Sequence, residues 1–375
     1  MQTFFKSRSF FQWLLIVLTL FFVFVLLLSY LSYFISPIHL PYLAFFGLAY
    51  PYILLANIIF AFVWIILWKR VALIPMVCII AGYSFIGSLF QFEIRPETPA
   101  SGSIKMMSFN IHNLVGAEYK KQDQSIIQKV INFFHKTKPE IVCFQEFKIN
   151  REDTSAFFNS FRKETSAGYY FYRNYNKNLP LRYIDALATF SKYPIINSGF
   201  LTYPREHIFA IYNDIVINDE KIRVYNVHLE SIHFANDDYS FYSNLAENEL
   251  NNVKLVPGIK NIVRKLKKAF VLRAYQAEVL RSSIDKSPYP IVMCGDFNDT
   301  PSSYTYRYLS SNMNDAFKKA GRDFFGSTYA GNFPAFRIDY ILYDKRFKAY
   351  QYQKLKVDLS DHYPVSLFLN ISPAQ

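Results

Sequence analysis

Six short clusters in the back two-thirds of the chain combine the residue types that metal binding and proton transfer require. They are Ser108-Phe109-Asn110, Gln145-Glu146, Asn226-Val227-His228-Leu229, Gly295-Asp296-Phe297-Asn298-Asp299, Arg337-Ile338-Asp339-Tyr340 and Ser360-Asp361-His362-Tyr363-Pro364. Carboxylates and carboxamides supply hard oxygen ligands suited to Mg2+ or Mn2+. Imidazoles move protons near neutral pH. The clusters hold no lysine nucleophile, glycine-rich phosphate loop or paired cysteines. Singly, each is ordinary. Asn110 reads as a turn residue, Glu146 as a helix cap, His228 as a satisfied core histidine, Asp296 and Asn298 as turn chemistry, and Asp361-His362 as a solvated loop. Six together, each at the boundary of an apolar run, point to one site.

The apolar runs are the elements that must carry these residues. From Ile104 onward the pattern is that of a soluble α/β domain. Strands are expected at 105–111, 141–144, 186–191, 208–216, 222–229, 291–294, 337–343 and 364–369, from short apolar runs bounded by polar or turn residues. A helix is expected at 124–134, where Ile126, Ile127, Val130, Ile131 and Phe134 recur at helical spacing, and another at 270–284. Cys78, Cys143 and Cys294 are too few and too scattered for a disulfide framework or a zinc site, and read as small core residues.

The ordered set Asn110, Gln145-Glu146, His228-Leu229, Gly295-Asp296-Phe297-Asn298, Arg337-Ile338-Asp339-Tyr340 and Ser360-Asp361-His362 resembles the endonuclease/exonuclease/phosphatase superfamily. Phe190-Ser191-Lys192-Tyr193-Pro194-Ile195 and Arg273-Ala274-Tyr275-Gln276 add to the resemblance, which covers about 104–371. It implies a four-layer α/β/β/α sandwich of two mixed sheets and a divalent-metal-dependent phosphoester hydrolase. By that resemblance Glu146 is the main Mg2+ ligand, with Asn110 and Asp361 near the metal. Asp296 and Asn298 orient or activate the attacking water. His362 contacts phosphate or acts as base with Asp339 fixing its tautomer, and His228 binds phosphate or protonates the leaving group.

The first hundred residues differ in kind. Residues 10–35, 42–68 and 71–92 are uncharged apolar runs, each long enough for the roughly 20 residues that a bilayer core demands. The expected division is a three-span all-α transmembrane region at 1–92, a Pro/Ser/Gly-rich linker at 93–103 and a catalytic domain at 104–375. Two spans with a re-entrant segment is the variant reading, because the Lys69-Arg70 turn is tight. A cleaved signal peptide fits poorly, since the first run is too long and two more follow. Lys6, Arg8, Lys69 and Arg70 set those two ends in the cytoplasm, so three spans deliver the catalytic domain to the extracytoplasmic side.

The formal net charge is +12, and most of the basic excess lies beyond residue 100. A basic domain beside a bilayer suggests an anionic partner: lipid headgroup, nucleic acid or phosphorylated metabolite. The long stretch 230–272 divides into a polar-aromatic first half and a basic second half. The latter interleaves Lys254, Lys260, Arg264, Lys265, Lys267, Lys268 and Arg273 with apolar residues and no acid. This is the pattern of an amphipathic helix on a membrane surface, of a backbone-tracking nucleic-acid contact, or of a solvated face. Three functions stay open: a membrane phosphodiesterase or phosphatase acting on a lipid or small phosphorylated substrate, a surface nuclease for DNA or RNA, and a non-catalytic binding domain. The complete polar set argues against the last. The sequence leaves the oligomeric state open.

Overall fold

The structure, a computed structural model, describes residues 10–67, 69–91, 97–115, 124–175, 183–232, 255–321, 323–331 and 336–371. Most of the expected polar-aromatic stretch with Lys254 (233–254), part of the expected linker (93–96), and Lys6 and Arg8 of the topology reading lie outside them.

Twelve strands form in the back domain: β1 (Ile104–Asn110), β2 (Ile141–Asn150), β3 (Tyr169–Asn174), β4 (Tyr183–Ser191), β5 (Ile195–Thr202), β6 (Ile208–Ile217), β7 (Glu220–His228), β8 (Ile291–Asp296), β9 (Met313–Asp315), β10 (Asp339–Asp344), β11 (Lys348–Lys354) and β12 (Val365–Asn370). They make two mixed six-stranded sheets, ordered β11-β12-β1-β2-β4-β3 and β5-β6-β7-β8-β10-β9. Each sheet has a parallel pair at its centre, β1 with β2 and β7 with β8, flanked by antiparallel neighbours. Ile141, Cys143, Val224, Val292 and Cys294 meet between the two sheets. The outer face of the first sheet packs on the helices Gln124–Thr137 and Arg151–Thr165 through Val130, Phe134, Phe157 and Phe161. That of the second packs on Leu255–Asp285 and Tyr304–Ser310 through Ala277, Leu280, Tyr306 and Leu309. The result is the α/β/β/α sandwich. One polar stitch crosses its dry centre. Gln145 donates to Asn226 Oδ1 (2.7 Å), and Asn226 donates to the carbonyls of Phe144 and Ala188 (3.0 Å each).

Several expected bounds change for physical reasons. The strand expected to end at Phe144 continues to Asn150, through a bulge between Phe144 and Phe147 where Glu146 takes φ 49°. Arg337 precedes its strand, because β10 begins at Asp339. The basic stretch and the helix expected at 270–284 are one continuous helix of 31 residues, Leu255–Asp285.

In the front region Phe10–Phe34 is one 25-residue helix long and apolar enough to cross a membrane. The other two expected spans are each broken, Pro41–Leu48 from Tyr50–Ile66 by 59° and Arg70–Ala81 from Tyr83–Leu89 by 62°. Pro51 at the start of one helix and Gly82 between the other two sit at the breaks. Polar contacts tie these helices together. Asn57 donates to Phe22 O (3.0 Å), Trp64 to Thr19 Oγ1 (2.9 Å) and Tyr30 to Cys78 O (3.1 Å). The helices also touch the sandwich. Arg307 donates to Tyr33 O (2.9 Å), and Gln91 donates to the carbonyls of Phe317 and Lys318 (3.0 Å each).

Candidate active site

Register alone aligns three of the expected residues. His228 on β7 pairs with Asp296 on β8, and Asp296 pairs with Asp339 on β10, so adjacent strands of one sheet present a histidine and two carboxylates side by side. Gly295 makes this approach feasible. Its φ is +154°, and a Cβ there would stand 2.0 Å from Val227 O. The other sheet contributes Asn110 from the end of β1 and Glu146 from the bulge of β2. Without the bulge, neighbours Gln145 and Glu146 would alternate strictly across the sheet. With it, Gln145 joins the stitch in the core while Glu146 reaches the cleft.

Asn110 connects the two sheets. Its Nδ2 donates to Glu146 Oε1 (3.1 Å) and Asp296 Oδ2 (3.0 Å), while its Oδ1 accepts the His112 amide (3.0 Å). The amide nitrogen, not the oxygen, therefore faces the carboxylates. His228 Nε2 lies 3.4 Å from Glu146 Oε1 and 3.8 Å from Asp296 Oδ2. His362 Nδ1 lies 3.0 Å from Asp339 Oδ2, and its Nε2 lies 3.8 Å from Asp296 Oδ2. Asn298 is joined less directly. Its backbone N–H donates to Asp296 Oδ1 (2.7 Å), but its side chain donates to Leu229 O (3.0 Å) and braces the end of β7. Asp361 turns toward His112 Nδ1 (3.3 Å) and Ser360 Oγ (3.3 Å). Contacts thus bring Asn110, Glu146, His228, Asp296, Asp339 and His362 together directly, with Asn298 and Asp361 at the rim.

The electrostatics follow from burial and proximity. Burial pulls the His362 imidazole down, but Asp339 and Asp296 outweigh it and hold it well above its usual range. Burial pushes the Asp296 carboxyl up from 3.8 to about 7, opposed by His362 and reinforced by Asp339. An imidazolium and a carboxyl that titrates near neutrality thus stand beside one another, as acid–base chemistry at physiological pH requires.

The donor set fits a divalent metal. Asp296, Asp339 and His362 each offer a ligand atom within 4.8 Å of the others. Within that triad, however, Asp339 is already engaged with His362 Nδ1 (3.0 Å). Glu146, half-buried at the cleft, is the better hard-oxygen donor.

Sequence reasoning passed over four supporting residues. The Tyr175 hydroxyl accepts the Glu146 N–H (2.9 Å) and lies 3.1 Å from His228 Nδ1. Burial, with help from Glu146, raises Tyr175 well above its usual range, so it stays a phenol. Accepting from Glu146, it keeps its O–H available to donate to His228 Nδ1, which would leave that imidazole's proton on Nε2. His112 and Asn113, at φ 44° and 56°, follow Asn110 with Ile111 between. Asn113 donates to Glu146 Oε2 (3.4 Å). Thr328 Oγ1 accepts the amides of Ile338 and Asp339 (3.1 Å each), setting the start of β10. The run Asn110-Ile111-His112-Asn113 was a legible signal, whereas Tyr175 and Thr328 had none. Two of the resembling motif's residues are scaffold. Arg337 is buried and pairs with Asp315 (2.8 Å), and Gln276 ties Glu230 N (2.8 Å) to Tyr203 O (3.1 Å).

Comparison with known proteins agrees with this fold. Similar solved structures include endonuclease/exonuclease/phosphatase proteins from three bacteria. That of Beutenbergia cavernae has 16% identity and TM-score 0.51, covering 72% of this chain and 71% of that one. That of Bacteroides thetaiotaomicron has 15% identity and TM-score 0.51, covering 73% and 98%. That of Leptotrichia buccalis has 13% identity and TM-score 0.50, covering 72% and 100%. At such identities the likeness speaks to fold. No curated protein matches the chain. Residues 12–89 match a Domain of unknown function (DUF8431). Residues 107–362, which include every candidate site residue, match the Endonuclease/Exonuclease/phosphatase family, and the chain belongs to that family.

Proposed function

We propose that the chain is a membrane-anchored, Mg2+- or Mn2+-dependent phosphoesterase that hydrolyses a phosphodiester or phosphomonoester of a lipid or small phosphorylated compound by in-line attack of water. The observation that carries this reading is the buried His362–Asp339 pair set 3.8 Å from Asp296, with His228 beside them and Glu146 reaching in from the other sheet. Glu146 would hold the cation, with Asn110 and Asp361 nearby. When bound, the cation neutralises charge growing on the phosphoryl oxygens. Asp296, its carboxyl pushed up to about 7 by burial, accepts the proton of the attacking water. The His362 imidazolium holds a non-bridging oxygen, and Asp339 keeps it charged and oriented. His228 presents its Nε2 proton to the leaving oxygen, with Tyr175 fixing that tautomer. Asn298 keeps Asp296 and the end of β7 in register.

The anchor is read as three crossings with the catalytic domain on the extracytoplasmic side. Two observations support it. Tyr50–Ile66 runs antiparallel to Phe10–Phe34, since Asn57 meets Phe22 and Trp64 meets Thr19. Tyr33 at the end of the first helix and Gln91 after the last both touch the catalytic domain.

The test is hydrolysis of bis(p-nitrophenyl) phosphate by the purified full chain, with Mg2+ and with a chelator. Metal-dependent turnover that Asp296→Ala and His362→Ala abolish without unfolding the protein is the expected result. Normal turnover by both variants, or none by the wild type with any divalent metal, overturns it. A reporter enzyme fused after Gln375 and active in the cytoplasm overturns the topology.

A further inference from the structure

Phe324 and Phe325 are adjacent, large and open to the outside of the catalytic domain, at 50% and 59% exposure. A lone exposed phenylalanine asks for no explanation, but a pair on a fixed backbone does. The backbone beneath this pair is tied from two sides. From the front region, Gln91 N–H donates to Phe324 O (3.1 Å) and Gly326 N–H donates to Leu89 O (3.3 Å), so Phe90 and Phe325 pair as an antiparallel bridge. From the sandwich, Lys354 Nζ donates to Phe325 O (3.3 Å), and Asp323 accepts the Lys354 N–H (2.9 Å). Gly326 lies close against the domain, where a Cβ would stand 2.9 Å from Arg337 Cδ. The ring centroids of Phe90, Phe324 and Phe325 lie 4.8 to 5.3 Å from one another.

Two features suit this aromatic cluster to a bilayer. It continues the last apolar segment, on which Val77, Ile80 and Tyr83 are exposed and which ends at Leu89, one residue before Phe90. Aromatic side chains beside such an end belong at the boundary between headgroups and acyl chains. In addition, the Phe324 and Phe325 carbonyls and the Gly326 N–H already have partners, so moving the pair out of water strips none of these groups of its hydrogen bond. The same stretch of chain then leads to the catalytic cleft. Thr328 O accepts the Tyr363 N–H (2.8 Å), Ala330 N–H donates to Asp361 O (2.7 Å), and Tyr329 pairs with His362. Tyr329 stands four residues beyond Phe325, at most about 14 Å of chain.

We propose that Phe324 and Phe325 insert into the headgroup–acyl boundary of the bilayer, giving the catalytic domain a lipid contact of its own close to His362. The proposal rests on the membrane-anchored reading above.

The experiment places a nitroxide on Phe325→Cys in the full chain carrying Cys78→Ser, reconstituted in phosphatidylcholine nanodiscs. Cys143 and Cys294 are buried and remain unlabelled, which the background variant alone verifies. Spin relaxation measures collisions with O2, which concentrates in lipid, and with a water-soluble nickel chelate. Phe324→Cys gives a second reading. Phe21→Cys, exposed on the first helix, marks lipid, and Lys286→Cys, exposed just past the Leu255–Asp285 helix, marks water. Unfolding temperature serves as the folding check. The ratio of O2 to nickel collisions at positions 324 and 325 is expected several-fold above that at 286 and close to that at 21. A ratio at both positions equal to that at 286 overturns the proposal. So does shielding from both reagents, which makes the patch a contact with another protein or a second copy. A water-exposed probe at 21 overturns the membrane-anchored reading, and this proposal with it. Turnover of bis(p-nitrophenyl) phosphate, which needs no lipid, tests the hydrolase reading separately.

Discussion

Asp296→Asn is expected to stabilise the metal-free protein in mild alkali while ending hydrolysis. Burial holds the Asp296 carboxyl up from 3.8 to about 7 despite the opposing His362 imidazolium. The folded protein therefore keeps a proton that the unfolded chain releases. The stability this confers is complete below the unfolded value and is lost as pH rises through about 7. Over the whole shift, ionising Asp296 in place costs about 4 kcal/mol. Asparagine has the same shape and no charge, so it escapes that cost. It keeps an acceptor for the Asn298 N–H (2.7 Å) but turns an amide nitrogen toward Asn110 Nδ2 (3.0 Å). The lost hydrogen bond costs about 1–3 kcal/mol. The balance is a gain of about 1–3 kcal/mol near pH 8, reversing to a loss of similar size near pH 4, where both side chains are neutral. Thermal unfolding of the full chain in detergent with a chelator, across that range, measures it. A variant less stable than wild type near pH 8, or a difference that does not change with pH, refutes the reasoning.

Other substitutions probe the frame around the site. Tyr175→Phe removes the oxygen between Glu146 N and His228 Nδ1, and is expected to lower kcat about tenfold with KM nearly unchanged. Steady-state kinetics read this directly. Gly295→Ala drives a methyl group onto Val227 O and should destabilise by at least about 3 kcal/mol, visible as a lowered Tm. Asp315→Asn leaves Arg337 charged and buried without its partner, which should cost about 3–5 kcal/mol in denaturant unfolding.

What the sequence revealed about the fold tracks burial. Every interior strand announced itself as an apolar run. The four that escaped, β3, β5, β9 and β11, are the four edges of the two sheets. An edge strand has fewer neighbours and tolerates mixed composition, as in Tyr169–Asn174 and Lys348–Lys354. The site was legible because its chemistry sits at strand ends, where apolar runs stop at residues too polar for a core. Tyr175 escaped because its role depends on two backbones distant in sequence. Nor does composition reveal the bulge at Glu146, since Gln145 and Glu146 look alike yet face opposite tasks. In the front region hydropathy marked the segments but not their bends, which come from single prolines and glycines inside otherwise uniform runs.

The contacts of Arg307 with Tyr33 and of Gln91 with the Phe317 and Lys318 carbonyls have a mechanical consequence. With fastenings on both sides of residues 92–96, the peptide there is one connection among several. A cut in that peptide would leave two pieces still clasped, and extra residues spliced into it would not lengthen the domain's reach. The sandwich is thus joined to the front helices by side chains as well as by the chain itself.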